Sequence, residues 1–368
     1  MRIDSFELRE MKMDLQFRFE TSFGVQTSRR ILLVTLHADG IQGYGECVAG
    51  DTPGYSYETT DTCKTIIENV LAPRLVGREV ATPDALLSIL ADVRGHNMAV
   101  AAVEMAFWDA WAKQLDTPLW QLLGGQLRPI PVGISIGLQD SVEATVEKAI
   151  AGVQAGYGRI KLKIAPGRDV DRVAGVREAL PDVNLTVDAN SAYNLSDTPR
   201  LRELDAFGLD YIEQPLAHDD LIDHAELQRQ LATPVCLDES IHSPEDARKG
   251  LQLGSGRIIN LKVGRVRGFR DARRVHDVAQ AFGAPVWCGG MLESGIGRAA
   301  NLHLSTLEGF SLPGDTSSAS RYWADDIIEE SLEARNGLQV VPENGPGLGV
   351  HLNERVIEDA TTDVRTVG

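Results

Sequence analysis

Five ionisable residues recur at nearly constant spacing: Lys163, Asp188, Glu213, Asp238 and Lys262 follow one another at steps of 25, 25, 25 and 24 residues. Each closes a short β-branched run. Singly, such acids are ordinarily salt-bridge partners or helix caps, and a Lys-x-Lys pair on a strand is ordinarily a solvated face. Repetition at the same place in five successive units points instead to a site. Three carboxylates brought together without a counter-ion would repel, and protons would be forced onto some of them. Oxygen donors with no His or Cys among them favour a hard cation that keeps some water, most simply Mg²⁺, with Mn²⁺ also fitting. Asn190, two residues beyond Asp188, would stand near such an ion as a further polar group.

The two lysines suggest what the ion is for. A proton α to a carboxylate is very weakly acidic, and its loss creates a dianionic enediolate that a metal stabilises as the charge forms. One amine takes the proton and the other returns one to the opposite face. An ordinary lysine, with a pKa of about 10.4, is only about one part in a thousand neutral near pH 7.4; lowering that value by roughly three recovers about 4 kcal/mol. Lys161 shares a strand face with Lys163, because strand side chains repeat every two residues. Its charge is expected to help hold Lys163 partly neutral.

The elements that must position these groups are legible too. After Gly125, β-branched runs recur at 131–137, 158–164, 184–190, 210–215, 234–240, 257–264, 285–291 and, more weakly, 310–314, separated by helical stretches that often end in Gly. Strand–helix alternation at this spacing predicts a parallel sheet, and eight units close into a barrel. Functional side chains of such barrels sit at the C-terminal ends of the strands. Strands 3, 4 and 5 are neighbours, so Asp188, Glu213 and Asp238 are expected to converge on one point. Strands 2 and 6 face each other across the ring, which places Lys163 and Lys262 on opposite sides. Ahead of the barrel, residues 1–13, 30–37 and the run IQGYGE read as strands, with Asp39-Gly40 as a hairpin turn. Residues 58–75, 84–93 and 97–115 read as helices. The expected division is an α+β capping domain over 1–125, a barrel over 126–322, and a C-terminal segment, 323–368, returning to the cap.

Bulk properties bound the partners. The chain has 368 residues, enough for two domains, and a net charge of −17, which argues against nucleic acid or an anionic membrane. The same charge means that any site for an anionic substrate must concentrate positive charge locally. The first residues lack an uninterrupted apolar core, so no secretory signal is expected. The longest apolar stretch, Met98 to Ala112, carries Glu104 and Asp109 and reads as a buried helix. Cys47, Cys63, Cys236 and Cys288 lie far apart without CxxC spacing, so the default compartment is a reducing cytoplasm.

The segments RIKLKI (159–164), TVDANSAY (186–193), YIEQPL (211–216), CLDES (236–240), NLKVGRVRG (260–268), WCGGMLESGIGRA (287–299), LPGDTSSASRYW (312–323) and RFETSFG (18–24) resemble the muconate-lactonizing subgroup of the enolase superfamily. Within it they look most like the N-acylamino acid racemase / o-succinylbenzoate synthase family. The resemblance covers essentially the whole chain. It implies a modified TIM barrel of (β/α)7β type with an α+β cap. It also implies Lys163 and Lys262 as the acid/base pair with Lys161 beside them, and Asp188, Glu213 and Asp238 as ligands of Mg²⁺, with Mn²⁺ or Co²⁺ able to substitute. Substrate contacts are implied for Ser135, Gly290, Met291 and Arg298, with a flexible loop carrying Phe19 and Phe23; Tyr55 sits in a segment that would join that lid. The substrate would be a small carboxylate, and assemblies are common in the family, so a homo-oligomer is expected. The implied reactions are racemisation of N-acylated, often N-succinyl, amino acids and dehydration of a cyclohexadiene carboxylate to o-succinylbenzoate in menaquinone synthesis. Dipeptide epimerase is a weaker alternative, since PGDTSS offers only Asp315 where an Asp-x-Asp pair is expected. Muconate cycloisomerase uses a similar set of residues. A barrel that binds without catalysis would have lost a lysine or an acid, and none is missing.

Overall fold

The cap is built on one long hairpin. Ile3–Thr21 and Gly24–Ala38 pair antiparallel, Ile41–Cys47 adds a third strand, and Thr361–Val367 pairs with the first, giving a four-stranded sheet. The computed structural model describes residues 1–368. Both hairpin strands run beyond the expected 1–13 and 30–37. After an irregularity between Asp14 and Phe19 the ladder resumes, pairing Phe19 with Gln26, Glu20 with Val25 and Thr21 with Gly24. The segment expected to be a flexible loop is therefore a paired ribbon whose turn, at Ser22 and Phe23, projects from the sheet.

Helix Asn97–Gln114 lies on the third strand and is buried nearly all round. The approach is close because that strand has glycines where it meets the helix. A Cβ at Gly45 would fall 2.1 Å from the carbonyl oxygen of Ala102, and one at Gly43 equally close to that of Ala106. The acids on this helix have partners. Glu104 accepts from the backbone N–H of Phe269 at 2.9 Å and of Arg270 at 3.0 Å, capping the barrel helix Phe269–Ala281 from the other side of the interface. Asp109 accepts from the N–H of Tyr44 and of Leu348.

The second half is a curled parallel sheet of seven strands, in chain order Ile134–Ile136, Arg159–Lys163, Asn184–Asp188, Ile212–Glu213, Val235–Leu237, Ile258–Leu261 and Val286–Cys288. The eighth run does not become a strand. It closes the ring through single bridges, Phe310 to Val286 and Gly314 to Val132, with the N–H of Gly314 donating to Pro131 and that of Asp315 to Cys288. Pro313 has no N–H to give a ladder. Seven strands and a bridging segment make the modified TIM barrel of (β/α)7β type. Residues beyond 323 first stay against the barrel, where Leu338–Gln339 pairs with Ile130–Pro131, before the last strand reaches the cap sheet. One apolar cluster of 62 residues fills the barrel and its helices, and a second of 27 residues fills the cap.

Candidate active site

Parallel register sets the acids and amines side by side. Lys163, Asp188 and Glu213 are consecutive cross-strand partners at the ends of strands two, three and four. Asp238 and Lys262 follow directly after strands five and six. The backbone turns sharply just past these ends: Asn190 has φ +44°, Gln214 +36° and Leu292 +58°, conformations uncommon outside glycine and concentrated at the mouth of the barrel. Gln214 fastens one of these turns, its side-chain amide donating to Ser240 Oγ at 2.7 Å and accepting from the N–H of Asp238 at 2.9 Å.

Each amine is matched with acid. Lys163 Nζ lies 2.5 Å from Asp188 Oδ2 and 2.8 Å from Asn190 Oδ1. Lys161 Nζ lies 2.8 Å from both Glu213 Oε2 and Asp315 Oδ2, and 3.8 Å from Asp188 Oδ2. Lys262 Nζ lies 2.8 Å from Asp238 Oδ2 and donates to the hydroxyl of Tyr55 at 3.1 Å. Burial alone would lower the pKa of Lys161 and Lys262, but neighbouring groups outweigh it. For Lys161 these are Asp315, Glu213 and Asp188; for Lys262 they are Tyr55, Glu239 and Glu213. Both amines end above the ordinary lysine range. The Lys161 ammonium faces Glu213 and Asp315 directly.

The three acids share the mouth, each engaged by a neighbouring ammonium. Asp188 and Glu213 meet across the Lys161 ammonium, whereas Asp238 is held by Lys262, by the Tyr55 hydroxyl at 3.0 Å and by the Arg265 guanidinium. Burial pushes the Glu213 carboxyl up, reinforced by Asp188. The Asp188 carboxyl is held down by Lys163 and Lys161 against the upward pull of its own burial. Glu239, buried beside them and accepting from Asn190 at 3.1 Å, is pushed up to about 7, chiefly by burial and then by Asp188. Its second oxygen is buried without any partner. This all-oxygen set, rich in carboxylate and with an unanswered oxygen at its edge, fits a hard divalent cation.

Above the acids lies a cavity of about 350 Å³ whose wall includes Lys161, Lys163, Asp188 and Lys262. Every residue expected to touch substrate lines it: Ser135, Gly290, Met291, Arg298, Phe19, Phe23 and Tyr55. The hairpin tip forms one side, with Phe23 edge-on to Tyr55 at 6.1 Å and Lys163 5.8 Å from the Phe19 ring centroid. Ser135 Oγ donates to Asp315 Oδ1 at 3.2 Å, and Arg159 reaches the same oxygen at 2.8 Å. With Lys161 on its other oxygen, Asp315 is fully engaged by the chain's own cations.

Several residues of the site were not singled out from the sequence. Asn260 donates to Glu213 Oε1 at 2.6 Å; its spacing of two from Lys262 was a usable signal, since both share a strand face. Arg265 sits in the turn after strand six, where no period marks it, and Arg29 lies within the second cap strand.

Comparison with known proteins bears on what this arrangement does. Residues 5–124 match the family model for the mandelate racemase / muconate lactonizing enzyme N-terminal domain, and residues 144–356 match the enolase C-terminal domain-like model. The chain is 54% identical to an N-succinylamino acid racemase of Thermus thermophilus over 98% of both proteins. It is 51% identical to an o-succinylbenzoate synthase of Geobacillus kaustophilus, over 98% of this chain and 96% of that one. A muconate cycloisomerase of Rhodococcus opacus stands further off, at 32% identity over 91% of this chain and 92% of its own. Among solved structures, an enolase-superfamily member from Listeria innocua superposes with a TM-score of 0.96 at 39% identity, covering 100% of this chain and 99% of that one.

Proposed function

The chain belongs to the enolase superfamily, and from that premise we propose that Lys163 and Lys262 move the α-proton of a carboxylate substrate from opposite faces, beside Mg²⁺ held by Asp188, Glu213 and Asp238. It is an enzyme: an N-succinylamino acid racemase, an o-succinylbenzoate synthase, or both. Enzymes of this kind work with a divalent cation, which when bound stabilises negative charge developing on the substrate carboxylate. Mn²⁺ and Co²⁺ are the expected substitutes.

The observation that carries the reading is the placement of the two amines. They stand at the ends of strands two and six, four places apart in the sheet, and both open onto the one cavity. In racemisation one removes the α-proton and the other supplies a proton to the opposite face. In dehydration one face suffices: Lys163 acts as base and then acid, while Lys262 holds the developing charge as a cation. Neither reaction demands a different set of residues, and both names occur among the similar relatives. Phe19, Phe23 and Tyr55 exclude water and offer apolar surface to the substrate, and Ser135, Gly290, Met291 and Arg298 position it. The engagement of Asp315 by Arg159, Lys161 and Ser135 speaks against dipeptide epimerisation, because that acid is already committed to three of the chain's own donors.

No helix is long and apolar enough to cross a membrane. All four cysteines are free and buried, which suits a reducing cytoplasm. We place the enzyme there, self-associated as its family resemblance implies and with no nucleic-acid or membrane partner. We also keep the division into cap (1–125), barrel (126–322) and returning segment (323–368).

The test is α-proton exchange in D₂O with Mg²⁺, followed for N-succinylphenylalanine and for the o-succinylbenzoate precursor. Lys163→Ala and Lys262→Ala should each abolish racemisation. Either variant racemising at the wild-type rate would show that the opposed amines are wrongly assigned.

A further inference from the structure

A chain of hydrogen bonds runs from the cap hairpin to one of the two amines, through a single asparagine. At the turn of the hairpin, Ser22 Oγ donates to the backbone carbonyl of Asn190 at 2.8 Å, joining residues that are 168 apart in sequence. Asn190 is buried, and its other groups are engaged as well. Its N–H donates to Asp188 Oδ1 at 3.0 Å, its Nδ2 donates to Glu239 Oε1 at 3.1 Å, and its Oδ1 accepts from Lys163 Nζ at 2.8 Å. Asn190 and Ser191 both have left-handed backbone, with φ of +44° and +60°. Two such residues in succession persist only where the surroundings over-determine them. From the barrel, the fastener is the Gln214 carbonyl, which accepts from the N–H of Ser191 at 2.8 Å; from the cap, it is Ser22. The hairpin tip is itself seated on the barrel. The Glu20 carbonyl accepts from the N–H of Leu138 at 2.9 Å, and the Glu20 carboxylate pairs with Arg168 at 2.8 Å.

The place of Asn190 Oδ1 matters because of the valence of an amine. A neutral Lys163, the form that takes a proton, has two N–H groups and one lone pair. Two acceptors stand at its Nζ: Asp188 Oδ2 at 2.5 Å and Asn190 Oδ1 at 2.8 Å. With both N–H groups spent on them, the lone pair is left with one direction. If Oδ1 shifts, the amine turns about its Cε–Nζ bond and the lone pair is no longer aimed, an error that costs rate more than binding. We propose that Ser22 is a positioning residue for Lys163: the seated hairpin tip holds the Asn190 turn by its carbonyl, and the turn aims the amine. The inference rests on the opposed-amine reading above and deepens it, because it makes the cap a participant in proton transfer on one face. Lys262 takes its partners from Asp238 and Tyr55, to neither of which Ser22 is hydrogen-bonded.

The two faces supply a readout that loss of folded enzyme does not imitate. Each enantiomer of N-succinylphenylalanine presents its α-proton to one amine. In full-length, Mg²⁺-loaded Lys262→Ala the exchange is carried by Lys163, and in Lys163→Ala it is carried by Lys262. Exchange in D₂O is followed for each enantiomer in both variants, with and without Ser22→Ala. Ser22→Ala should slow the exchange carried by Lys163 about threefold to tenfold more than that carried by Lys262, the scale of one hydrogen bond, and should do so in kcat and not in KM. Ser22→Thr, which keeps the hydroxyl, should recover most of the rate. Equal slowing in both backgrounds, or none in either, overturns the positioning role while leaving the two amines in place. If neither lysine variant exchanges either enantiomer, or the wild type exchanges none, the opposed-amine reading falls and the role of Ser22 with it.

Discussion

At the scale of single residues, the site is a neutralisation problem. Asp188, Glu213, Asp238, Glu239 and Asp315 crowd one barrel mouth, and Lys161, Lys163, Lys262, Arg159 and Arg265 answer them. Lys161 appears in this light as the permanent counter-charge between Glu213 and Asp315, a task its raised pKa suits. Chelation with EDTA should abolish α-proton exchange, and added Mg²⁺, Mn²⁺ or Co²⁺ should restore it; full activity in chelator would remove the metal from the reaction. Asp188→Asn should weaken Mg²⁺ binding in calorimetry by about tenfold or more, the scale of a lost charge-assisted contact. Unchanged affinity there would disqualify Asp188 as a ligand.

At the scale of elements, the hairpin tip and the third cap strand matter most. The tip is held by cross-strand pairs up to Thr21 and Gly24, yet Phe23 at its turn is 41% exposed and touches the body of the protein through Tyr55. An aromatic pair of this kind is worth about 0.5–1.5 kcal/mol. Phe23→Ala is expected to lower kcat/KM about threefold to tenfold for N-succinylphenylalanine and less for N-succinylalanine. Equal losses on both would take the tip out of side-chain recognition. In the third strand, Gly45→Ala would drive a methyl into the Ala102 carbonyl, which is backbone and cannot rotate away. Overpacking of this kind costs about 1–3 kcal/mol, and a lowered thermal midpoint with near-normal kcat in the surviving enzyme is the expected result.

At the scale of the whole molecule, cap and barrel are joined by buried carboxylates at helix N-termini. Glu104 reaches from the cap to helix Phe269–Ala281. Glu46 reaches to helix Gly295–Leu304, accepting from the N–H of Ser294 and Gly297 and from Ser294 Oγ. Burial pushes both carboxyls up to about 7 despite these donors. Their folded values therefore exceed the ordinary 4.5 of an unfolded glutamate. The folded chain holds those protons more tightly, so stability from this source is complete below about pH 4.5, falls as pH rises towards about 7, and is level beyond. Thermal midpoints of wild type and Glu104→Gln between pH 4.5 and 8 should diverge in slope within that window. Parallel curves would mean that Glu104 does not titrate there.

Local chemistry and periodicity were enough to read the strand–helix repeat, the five residues at its strand ends, the oxygen-only donor set and the opposed amines, because each is a property of spacing along the chain. Side-chain partners across space were not legible. That Asp238 turns to Tyr55 and Arg265, that Lys161 is claimed by Asp315, and that the eighth run closes the ring through single bridges all depend on which groups meet when distant segments pack. The loop expected at Phe19 and Phe23 became a ribbon for the same reason: its ladder is completed by a partner strand, not by local propensity. Whether a buried charge finds a partner is likewise decided only in three dimensions, since a carboxylate remote in sequence can neutralise it at under 3 Å, as Asp315 does for Lys161.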